Sequence, residues 1–594
     1  MDWVRTHYCG DLRAANVGDK VILAGWCQTR RDHGGVIFVD LRDYTGITQV
    51  VFKMEISADA HQEADRIRNE FVLAVSGTVA HRLEGNINPK LPTGEIEVLV
   101  DTLELLNPSQ TLPYQLEDRD EVDEKIRLTY RFLDLRHESL QQNLMLRSQA
   151  MQIVRNYFTS EQRFFEVETP ILTKSTPEGA RDYLVPSRVS PGMFYALPQS
   201  PQLFKQLLMV SGFDRYIQIA RCFRDEDLRG NRQPEFTQID LELSFTRPEE
   251  IFGIIEGMFA RLFRETIEVE VPTPFPRMSY QEAMDRFGSD APDLRFGLEL
   301  QDVSDIAAQS ELKVFGEVIA KGGLVKAICV PGGSDFSRKD LDDLTDFARI
   351  YGAKGMAWIK RNPDGWQSPI AKFFSAELQD QLNDRVGLNV GDLVLFCADT
   401  PKVVHDTLGN LRKELARRRG LVDDSVYKFV WITDFPLFEY SETDQRWAST
   451  HHPFTMPNLD DLKQHAESDL GKIRSVAYDV ALNGVEVGGG SIRIHRQDIQ
   501  NRVFQLLQLS DEEIETKFGF LMRALSYGAP PHGGIALGFD RIMMFLLKTD
   551  SIRDVIAFPK TQRASCLMTD APSEVETSQL DELHIRVKAS AQAS

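Results

Sequence analysis

Two strand-like runs joined by a charged loop constrain the fold of this chain more than any other feature of its sequence. Residues 215–220 and 236–243 both alternate between apolar and polar side chains, which predicts two half-buried strands. A charged loop containing glycine, 228–231, lies between them. Arg224 and Glu226 are two positions apart, so on a strand they share one face. Such a pair is able to hold a phosphate and a polar ring; the alternative is a charged hairpin on a solvated surface.

Length and composition predict a multidomain globular protein. At 594 residues the chain is too long for one core. Its apolar content of 42% and charged content of 26% are ordinary for a soluble protein. The sequence has no run of about 18 apolar residues, and its start lacks the apolar core of a signal peptide. We therefore expect a cytoplasmic protein with no membrane partner.

The six cysteines are scattered, and no two of them stand at zinc-knuckle or redox spacing. We expect buried thiols in a reducing cytosol and no zinc site. The six are Cys9, Cys27, Cys222, Cys329, Cys397 and Cys566.

Net charge argues against a nucleic-acid partner. The formal charge is -21 and the isoelectric point is about 5.1, so the overall field repels a polyanion. If the partner is an RNA, binding must use local basic clusters such as Arg30–Arg31 and Arg417–Arg419.

The charged hairpin also carries a family resemblance. Phe-Arg-Asp-Glu at 223–226, followed by Arg-Gln-Pro-Glu-Phe-Thr-Gln at 232–238, resembles motif 2 of the class II aminoacyl-tRNA synthetases, in the form of the bacterial-type aspartyl enzymes. The likeness runs over nearly the whole chain. It implies an α+β multidomain fold: an N-terminal OB-type β-barrel, a catalytic domain built on an antiparallel sheet flanked by helices, and an inserted α/β domain.

The domain boundaries that this resemblance implies are as follows. Residues 1–106 form an anticodon-binding barrel, 107–135 a hinge, 136–288 the first part of the catalytic domain with motifs 1 and 2, 289–420 the bacterial-type insertion, 421–562 the second catalytic part with motif 3, and 563–594 a C-terminal extension.

The N-terminal strand pattern supports the barrel independently. Five strands are predicted, with one helix, Ala58–Asn69, between the third and the fourth, and this order suits an OB-type barrel. The strands are expected near Lys20–Gln28, Val36–Arg42, Thr48–Lys53, Phe71–Val79 and Glu95–Glu104.

OB-type barrels bind single-stranded nucleic acid by stacking bases on aromatic rings and following the backbone with cations. Arg31, Phe38 and Gln49 are side chains of the required types, although Phe38 taken alone favours a place in the core. The family resemblance implies instead that these three residues and Glu97 face the anticodon bases.

Two loop residues bear on the choice of tRNA. Aspartyl enzymes restricted to their own tRNA tend to have a bulky apolar residue where His33 stands and a lysine where Gly85 stands. Enzymes that also charge asparagine tRNA resemble this chain. A glycine leaves space near the third anticodon base, and an imidazole is able to hydrogen-bond either pyrimidine. The alternative is that both are ordinary turn residues.

Residues 140–170 resemble motif 1, the dimer interface of class II synthetases. A helical pattern over 140–159 leads into the strand-like run 164–168 and then Pro170. The resemblance implies a homodimer, whereas the pattern alone fits equally well an amphipathic helix packed within one subunit. The loop 173–181 resembles the family's mobile lid, whose glutamate, here Glu178, approaches the substrate ammonium.

The insertion carries no residue set that suggests chemistry. Strands are predicted at Leu324–Val330 and Gly355–Ile359, and helices at Lys339–Tyr351 and Thr400–Arg419. Its function does not follow from the sequence.

Further chemistry is predicted in the last third of the chain. Asp479 and Glu486 are hard oxygen ligands of the kind that Mg²⁺ takes when phosphates complete its shell. Glycines at 488–490 let the backbone approach a ligand closely, and Arg493 is able to grip a carboxylate in bidentate fashion. The segment 530–541 resembles motif 3 and leads into an apolar helix over 542–547; there Gly538 leaves room for adenine and Arg541 meets the terminal phosphate.

The adjacent histidines His451 and His452 are poor candidates for a metal site, because neighbouring residues on an extended chain point in opposite directions. The resemblance favours His451 as a substrate contact. Gln202 and Lys205 share a helix face, and a buried pair of this kind suits a carboxylate-bearing ligand.

The function that the resemblance implies is ATP-dependent attachment of aspartate to tRNA through aspartyl-adenylate, with tRNA(Asp) and tRNA(Asn) as partners and Mg²⁺ as cofactor. The implied catalytic residues are Arg224, Glu226 and Arg541; the ATP-binding residues add Asp225, Gln233, Glu486, Gly538, Phe539 and Asp540; the aspartate-binding residues are Glu178, Gln202, Lys205, Arg224, Asp240, His451 and Arg493; the metal ligands are Asp479 and Glu486.

Three alternatives remain open at this point. A lysyl or asparaginyl synthetase shares the barrel and the motifs, but a lysine pocket requires carboxylates where Lys205 and Arg493 stand, and an amide pocket requires less positive charge. A discriminating aspartyl enzyme charges tRNA(Asp) alone. A synthetase-like binding protein without ligase activity is expected to have lost a phosphate-binding arginine or the barrel, and both are present.

Overall fold

The structure is a computed structural model that describes residues 3–175, 180–226, 228, 232–442 and 444–588. The chain divides into two compact units, Met1–Met145 with Cys566–Thr569, and Leu146–Ser565 with Asp570–Ser594. The predicted fold class is confirmed: the first unit contains a closed five-stranded barrel and the second an eight-stranded, largely antiparallel sheet with an additional five-stranded sheet.

The barrel forms from five strands in the order β1-β2-β3-β5-β4. Its interior is apolar because inward-facing residues alternate along each strand, as Ile37, Val39 and Leu41 do on β2. The strands are β1 (Lys20–His33), β2 (Val36–Asp43), β3 (Gly46–Phe52), β4 (Val72–His81) and β5 (Ile96–Asn107), with α1 (Ala58–Ala64) between β3 and β4. The helix is shorter than predicted and ends before a turn at Asp65.

The segment expected to act as a hinge contains short helices, α2 (Glu124–Thr129) and α3 (Arg131–Asp134), after a 3-10 turn. A buried carboxylate organises it. Asp134 accepts hydrogen bonds from Arg119 at 2.8 Å and from Arg131 at 2.5 Å, so two cations offset the desolvation of one buried anion.

The first part of the larger unit contributes helices and one side of the main sheet. Its elements are α4 (Glu138–Asn156), β6 (Phe165–Glu166), β7 (Leu184–Pro186), β8 (Phe194–Ala196), α5 (Gln202–Val210), β9 (Arg215–Phe223), β10 (Glu235–Ser244), α6 (Pro248–Ile267), β11 (Arg277–Ser279) and α7 (Tyr280–Phe287). Proline at the first position of α6 begins that helix, since its fixed φ suits a first turn whose N–H groups are unpaired in any case.

The next part builds a separate five-stranded sheet in the order β12-β13-β16-β14-β15. Its elements are β12 (Leu300–Asp302), α8 (Ser304–Ala308), α9 (Lys313–Ala320), β13 (Leu324–Val330), α10 (Arg338–Ile350), β14 (Ala357–Asn362), β15 (Gly365–Gln367), α11 (Ala376–Val386), β16 (Leu393–Asp399) and α12 (Pro401–Arg418). Arg412 on α12 is buried and donates to the carbonyls of Asp293, Phe296 and Gly297, so it holds the segment that enters this sheet.

The last part completes the main sheet. Its elements are β17 (Phe429–Thr433), β18 (Phe438–Ser441), β19 (Arg446–Ser449), α13 (Leu459–His465), β20 (Ala477–Leu482), β21 (Val485–Ile492), α14 (Gln497–Leu506), α15 (Asp511–Leu525), β22 (His532–Gly538), α16 (Phe539–Leu547) and α17 (Thr577–Glu582). The apolar helix predicted at 542–547 therefore begins earlier, directly after β22.

The main sheet has eight strands in the order β11-β17-β20-β21-β22-β10-β9-β6. All central pairs are antiparallel, and only the two edge pairs, β11 with β17 and β6 with β9, are parallel. Helices α4, α6 and α16 supply apolar residues to the core beneath it. The two runs that opened the sequence analysis are β9 and β10, and Ile239 of β10 pairs with Ile219 of β9.

Two further expectations concern the cysteines and membrane spans. None of the six cysteines forms a disulfide, and all but Cys329 are buried. Over the residues that the structure describes, no helix has the length and apolar character needed to cross a membrane.

Candidate active site

A cavity of about 640 Å³ lies on the main sheet. Strands β10, β20, β21 and β22 form its floor, and α5 and the segment 450–454 supply its walls. The sequence-predicted residues that line it are Gln202, Lys205, Arg224, Glu226, Gln233, Asp240, His451, Asp479, Glu486, Arg493, Gly538, Asp540 and Arg541.

Two predicted residues are placed elsewhere, and a third is not described. Asp225 is absent from the lining and exchanges backbone contacts with Arg181. Phe539 is fully buried in the core, where Arg147 lies 4.9 Å above its ring. Glu178 lies outside the described residues.

A buried charge network occupies one end of the cavity. Lys205 Nζ lies 3.1 Å from Asp240 Oδ1 and 3.4 Å from Glu242 Oε2. Asp240 and Glu242 are two apart on β10 and so share a face.

Arg493, which follows β21, reaches the same carboxylate. Its Nε donates to Glu242 Oε1 at 2.9 Å and its Nη2 to Glu242 Oε2 at 3.2 Å. Together with Lys205 and Asp240 it forms a network of two cations and two anions, all of them at most 2% exposed.

The two carboxylates of this network respond differently to burial. Burial raises the pKa of Asp240, and Lys205 only partly opposes it. Burial would also raise the pKa of Glu242, but the charges of Arg493 and Lys205 bring that pKa below its usual value. Glu242 is therefore the anion that holds the two cations in place.

Arg224 and the residues of its hairpin line another part of the cavity. The guanidinium of Arg224 lies 5.1 Å from the centre of the Phe236 ring, which orients it by a cation–π contact. Glu226 pairs with Arg232 at 2.5 Å. The Gln233 side chain makes two hydrogen bonds with the backbone of Lys560. Its Nε2 donates to the carbonyl at 3.1 Å, and its Oε1 accepts from the N–H at 2.7 Å.

Asp540 has a structural environment although it lines the cavity. Its Oδ1 lies 2.6 Å from Arg147 Nη1, and its Oδ2 accepts from the backbone N–H of Thr237 at 2.8 Å. These contacts tie the start of α16 to β10. Arg541, the next residue, donates to the carbonyl of Glu486 at 2.6 Å, which fixes it beside the acidic end.

Several buried polar atoms in this cavity have no hydrogen-bond partner among the described residues. Most buried polar groups in proteins are paired, so a group of exceptions in one cavity indicates atoms that contact a ligand. They are Gln202 Nε2, Arg224 Nε, Asp240 Oδ2, Thr450 Oγ1 and Asp479 Oδ1.

The opposite end of the cavity is acidic. Burial raises the pKa of Glu486, and the neighbouring charges of Asp479 and Asp290 add to the effect. Burial likewise raises the pKa of Asp290, again with Asp479 contributing. Carboxylates crowded in this way repel one another, and a bound cation would relieve the repulsion. The Oδ1 of Asp479 accepts no hydrogen bond from the described residues, and carboxylates of this kind have the donor chemistry that Mg²⁺ takes when phosphates complete its shell.

The glycines at 488–490 are required by the sheet itself. A Cβ on Gly490 would lie 2.2 Å from the carbonyl oxygen of Gly534 on β22, and one on Gly489 would lie 2.6 Å from Asp479 Oδ1. Glycine here allows close strand packing and leaves the Asp479 carboxylate free to face the cavity.

The four predicted anticodon residues lie on neighbouring strands of the barrel, and Gln49 among them is buried. Arg31 on β1 pairs across the strands with Phe38 on β2, and the amide of Gln49 donates to Glu97 at 3.2 Å. Phe38 is half-buried on the outward face between inward-facing Ile37 and Val39, so the alternative that places it in the core is wrong. His33 stands edge-on to Phe38 at 6.1 Å.

The predicted basic clusters are largely neutralised within the protein. Arg30 pairs with Asp65 at 2.7 Å and Arg31 with Asp40 at 3.0 Å. In the other cluster, Arg417 and Arg418 pair with Glu414, and Arg419 pairs with Asp335. An RNA partner therefore has to compete with these carboxylates for the arginines.

Two protein families match the chain. The family described as "tRNA synthetases class II (D, K and N)" covers residues 123–562, and "OB-fold nucleic acid binding domain" covers residues 21–106. The chain belongs to the class II tRNA synthetases.

Curated proteins of similar sequence match this synthetase over nearly its full length. One from Desulfatibacillum aliphaticivorans, named "Aspartate--tRNA(Asp/Asn) ligase", is 58% identical, and the match covers 98% of each chain. One from Geotalea uraniireducens with the same name is 57% identical over the same shares. Among solved structures, asparaginyl-tRNA synthetase from Pyrococcus horikoshii, complexed with asparaginyl-adenylate, matches with a TM-score of 0.58 at 19% identity, covering 93% of this chain and 98% of that one; this likeness shows the shared fold.

Sequence reasoning missed several residues of the synthetase site. Glu242, which does not line the cavity but contacts Lys205 and Arg493, was detectable, since it follows Asp240 by two on a strand and must face the same way. His452 was not predicted, because the argument from alternation was used only against a metal site and the resemblance favoured His451. Residues 450–452 are not in a strand, and both histidines line the cavity. Asp290, Tyr280 and Glu439 come from other segments, and no sequence signal places them here.

The pair formed by His451 and Asp479 predicts a pH-dependent stability. Their Nε2 and Oδ1 atoms are 3.7 Å apart. Burial lowers the pKa of His451, but the Asp479 carboxylate more than offsets this, so the pKa is raised. A raised pKa in the folded state stabilises the fold below the unfolded value of about 6.5, and that stability is lost as the pH rises through the folded value.

The test is the melting temperature of wild type and Asp479→Asn measured from pH 5.5 to 9. We expect the wild type to melt at a higher temperature than Asp479→Asn. The pH-dependent part of this difference should be largest near pH 5.5 and disappear near pH 9. His451→Gln is the control, because without the imidazole that pH-dependent part should vanish. A wild-type advantage that grows with rising pH would contradict the assignment.

Proposed function

We propose that this synthetase attaches L-aspartate to tRNA through aspartyl-adenylate and charges both tRNA(Asp) and tRNA(Asn). The observation that carries the proposal is the single cavity shared by Arg224, Glu486, Arg493 and Arg541. Its volume of about 640 Å³ suits a small amino acid beside a nucleotide. The names of the similar curated proteins agree with this activity.

The charge network identifies the amino acid. Lys205 and Arg493 are buried cations that line the cavity, and a substrate carboxylate there would gain charge-assisted hydrogen bonds. A lysine side chain would meet two like charges. An asparagine amide would bring an NH2 donor against two side chains that are themselves only donors. Asp240 and Gln202 line the same cavity, and we assign them, with Glu178, to the network around the carboxylate and the ammonium of the substrate.

The first step joins two anions. The α-carboxylate of aspartate attacks the α-phosphorus of ATP, a new C–O–P link forms, and pyrophosphate leaves with the electron pair of the broken P–O bond. The nucleophile is ionised at neutral pH and needs no general base. The main barrier is repulsion between the two anions, and Arg224, with its unpartnered Nε in the cavity, is suited to neutralise both.

The nucleotide is assigned to the hairpin and the start of α16. Glu226 accepts from the adenine or its ribose, Gly538 leaves space for the ring, and Arg541 at the helix start meets the terminal phosphate. Gln233 supports this surface through its paired contacts with Lys560. In the second step the terminal ribose of tRNA attacks the adenylate carbonyl and AMP leaves.

Asp479 and Glu486 are the residues that would hold Mg²⁺. When bound, the ion would neutralise phosphate charge and orient the pyrophosphate leaving group. The chain's own contribution is a crowded acidic end in which glycines keep the carboxylates unobstructed.

The tRNA anticodon is assigned to the barrel residues Arg31, Phe38, Gln49 and Glu97. Phe38 provides the stacking ring and Arg31 the cation. His33 packs against Phe38 and so is placed to contact a base stacked there. We propose that this imidazole, with the small Gly85, accepts tRNA(Asn) as well as tRNA(Asp).

A homodimer completes the proposal, and the cytoplasm is its site of action. The edge strand β6 leaves Phe165 61% exposed, with Phe213 at its side. The hairpin β7–β8 adds exposed apolar residues, among them Leu184, Met193 and Phe194. Large apolar groups exposed at a sheet edge mark an interaction surface, and a second copy of the chain offers the same surface.

Substitution of Arg493 tests the amino acid. Arg493→Lys keeps a charge against buried Glu242 but loses the planar fork, so we expect kcat/KM for aspartate in ATP–pyrophosphate exchange to fall about 100-fold, the worth of one or two charged hydrogen bonds. Thermal stabilisation by ATP should be unchanged, which controls for the fold. Exchange close to the wild-type rate would refute the assignment.

Substitution of His33 tests tRNA choice. His33→Leu restores the bulky apolar residue of the restricted enzymes, and we expect aspartylation of tRNA(Asn) to fall about tenfold while that of tRNA(Asp) stays within about twofold. Gly85→Lys restores the lysine of the restricted enzymes. Because Gly85 has φ +93°, any side chain there adds backbone strain, and Gly85→Ala shows the effect of that strain without the lysine charge. Equal losses on both tRNAs would contradict the proposed role.

The dimer is tested by Phe165→Glu, which places a charge in the proposed apolar interface. Light scattering after size exclusion should then give the mass of one chain, 67.5 kDa, in place of two. Ile350→Glu is the matched control, since Ile350 is 74% exposed on α10, away from β6. A Phe165→Glu variant with the wild-type mass would remove this surface from the interface.

A further inference from the structure

His452 is a partly buried histidine for which neither the motifs nor the proposed chemistry provides a role. Its Nε2 lies 2.8 Å from Arg493 Nη1. Its Nδ1 lies 3.3 Å from Thr455 Oγ1 and 3.2 Å from the backbone N of Phe454. The ring lines the cavity beside the arginine assigned to the substrate carboxylate.

The hydrogen bonds of Arg493 account for nearly all of its donors. A guanidinium has five N–H groups. Nε–H and one Nη2–H go to Glu242, and the two Nη1–H groups go to Ser491 Oγ at 2.7 Å and to His452. Within the described residues, one Nη2–H is left for a ligand in the cavity.

The protonation of His452 follows from the same contacts. An arginine is only a donor, so the Nε2 that faces it must present a lone pair. The ring is then neutral with its proton on Nδ1, directed at the Thr455 hydroxyl. The Phe454 N–H also points at Nδ1, and this tautomer gives up that hydrogen bond in favour of the stronger charge-assisted one from Arg493. Burial and the positive charge of Arg493 lower the pKa of His452 well below its usual value, which agrees with this tautomer.

We propose that His452 is a positioning residue for aspartate recognition: its neutral ring accepts from Nη1 and so holds Arg493 in the orientation that leaves one Nη2–H for the substrate side-chain carboxylate. This inference rests on the proposed function and deepens it.

The predicted bidentate grip of Arg493 is thereby changed. The Nε/Nη2 edge of its fork is occupied by Glu242, so the substrate carboxylate receives one hydrogen bond from Arg493 and the rest of its positive environment from Lys205. A guanidinium fixed on three sides loses little freedom when the substrate binds, and such preorganisation favours affinity.

The test compares His452→Gln with His452→Met in aspartate-dependent ATP–pyrophosphate exchange. Both side chains reach about as far as the imidazole, but only glutamine offers an acceptor. We expect His452→Met to raise KM for aspartate about tenfold to 100-fold, with kcat and KM for ATP within about twofold, since uniform binding is what is lost. His452→Gln should recover most of the aspartate KM.

A double substitution shows whether the effect passes through Arg493. In an Arg493→Lys background, His452→Met should add less than about twofold to the aspartate KM, because interacting residues are not additive. Additive effects, equal behaviour of the Gln and Met variants, or a parallel loss in kcat and both KM values would overturn the positioning role. Wild-type enzyme without aspartate-dependent exchange would instead refute the proposed function.

Discussion

The charge network between β10 and the end of β21 is the interaction on which the site depends. Glu242 is buried and ionised because Arg493 and Lys205 both contact it, and each cation is in turn placed by that carboxylate. Removing any one member leaves an uncompensated charge away from water, which is strongly destabilising. The network therefore joins stability to recognition: the groups that would bind a substrate carboxylate are held by groups that the fold itself requires.

The antiparallel sheet makes this arrangement possible. Adjacent strands β20, β21, β22 and β10 each project side chains on one face into the same cavity. Glycines on β21 and β22 remove the Cβ atoms that would otherwise clash between neighbouring strands. Lys205 and Arg493 line the cavity together with Asp479 and Glu486, so one cavity presents buried cations as well as acidic oxygens.

Residues along single strands were well predicted, and those brought in by loops were not. Asp240 lies on β10, and Glu242 could have been added to it by the two-residue rule. Arg224 and Glu226 reach one cavity as their spacing suggested, although both lie beyond the end of β9. His452 could not, because alternation holds only in a strand and residues 450–452 lie outside one. Phe38 shows the opposite case. Its apolar neighbours in the sequence favoured a place in the core, but it lies between two inward-facing residues of β2 and so faces outward.

The sequence by itself determined the fold class, the family and the set of charged residues, because periodicity and motif spacing are local properties that survive without coordinates. Only the tertiary structure decided which polar and charged groups pair with one another. Glu242 pairs with Arg493, Asp540 pairs with Arg147, and the Gln233 amide bonds to the backbone of Lys560. The physical reason is that burial makes pairing obligatory, and the partners come from segments up to several hundred residues apart, where no local pattern connects them.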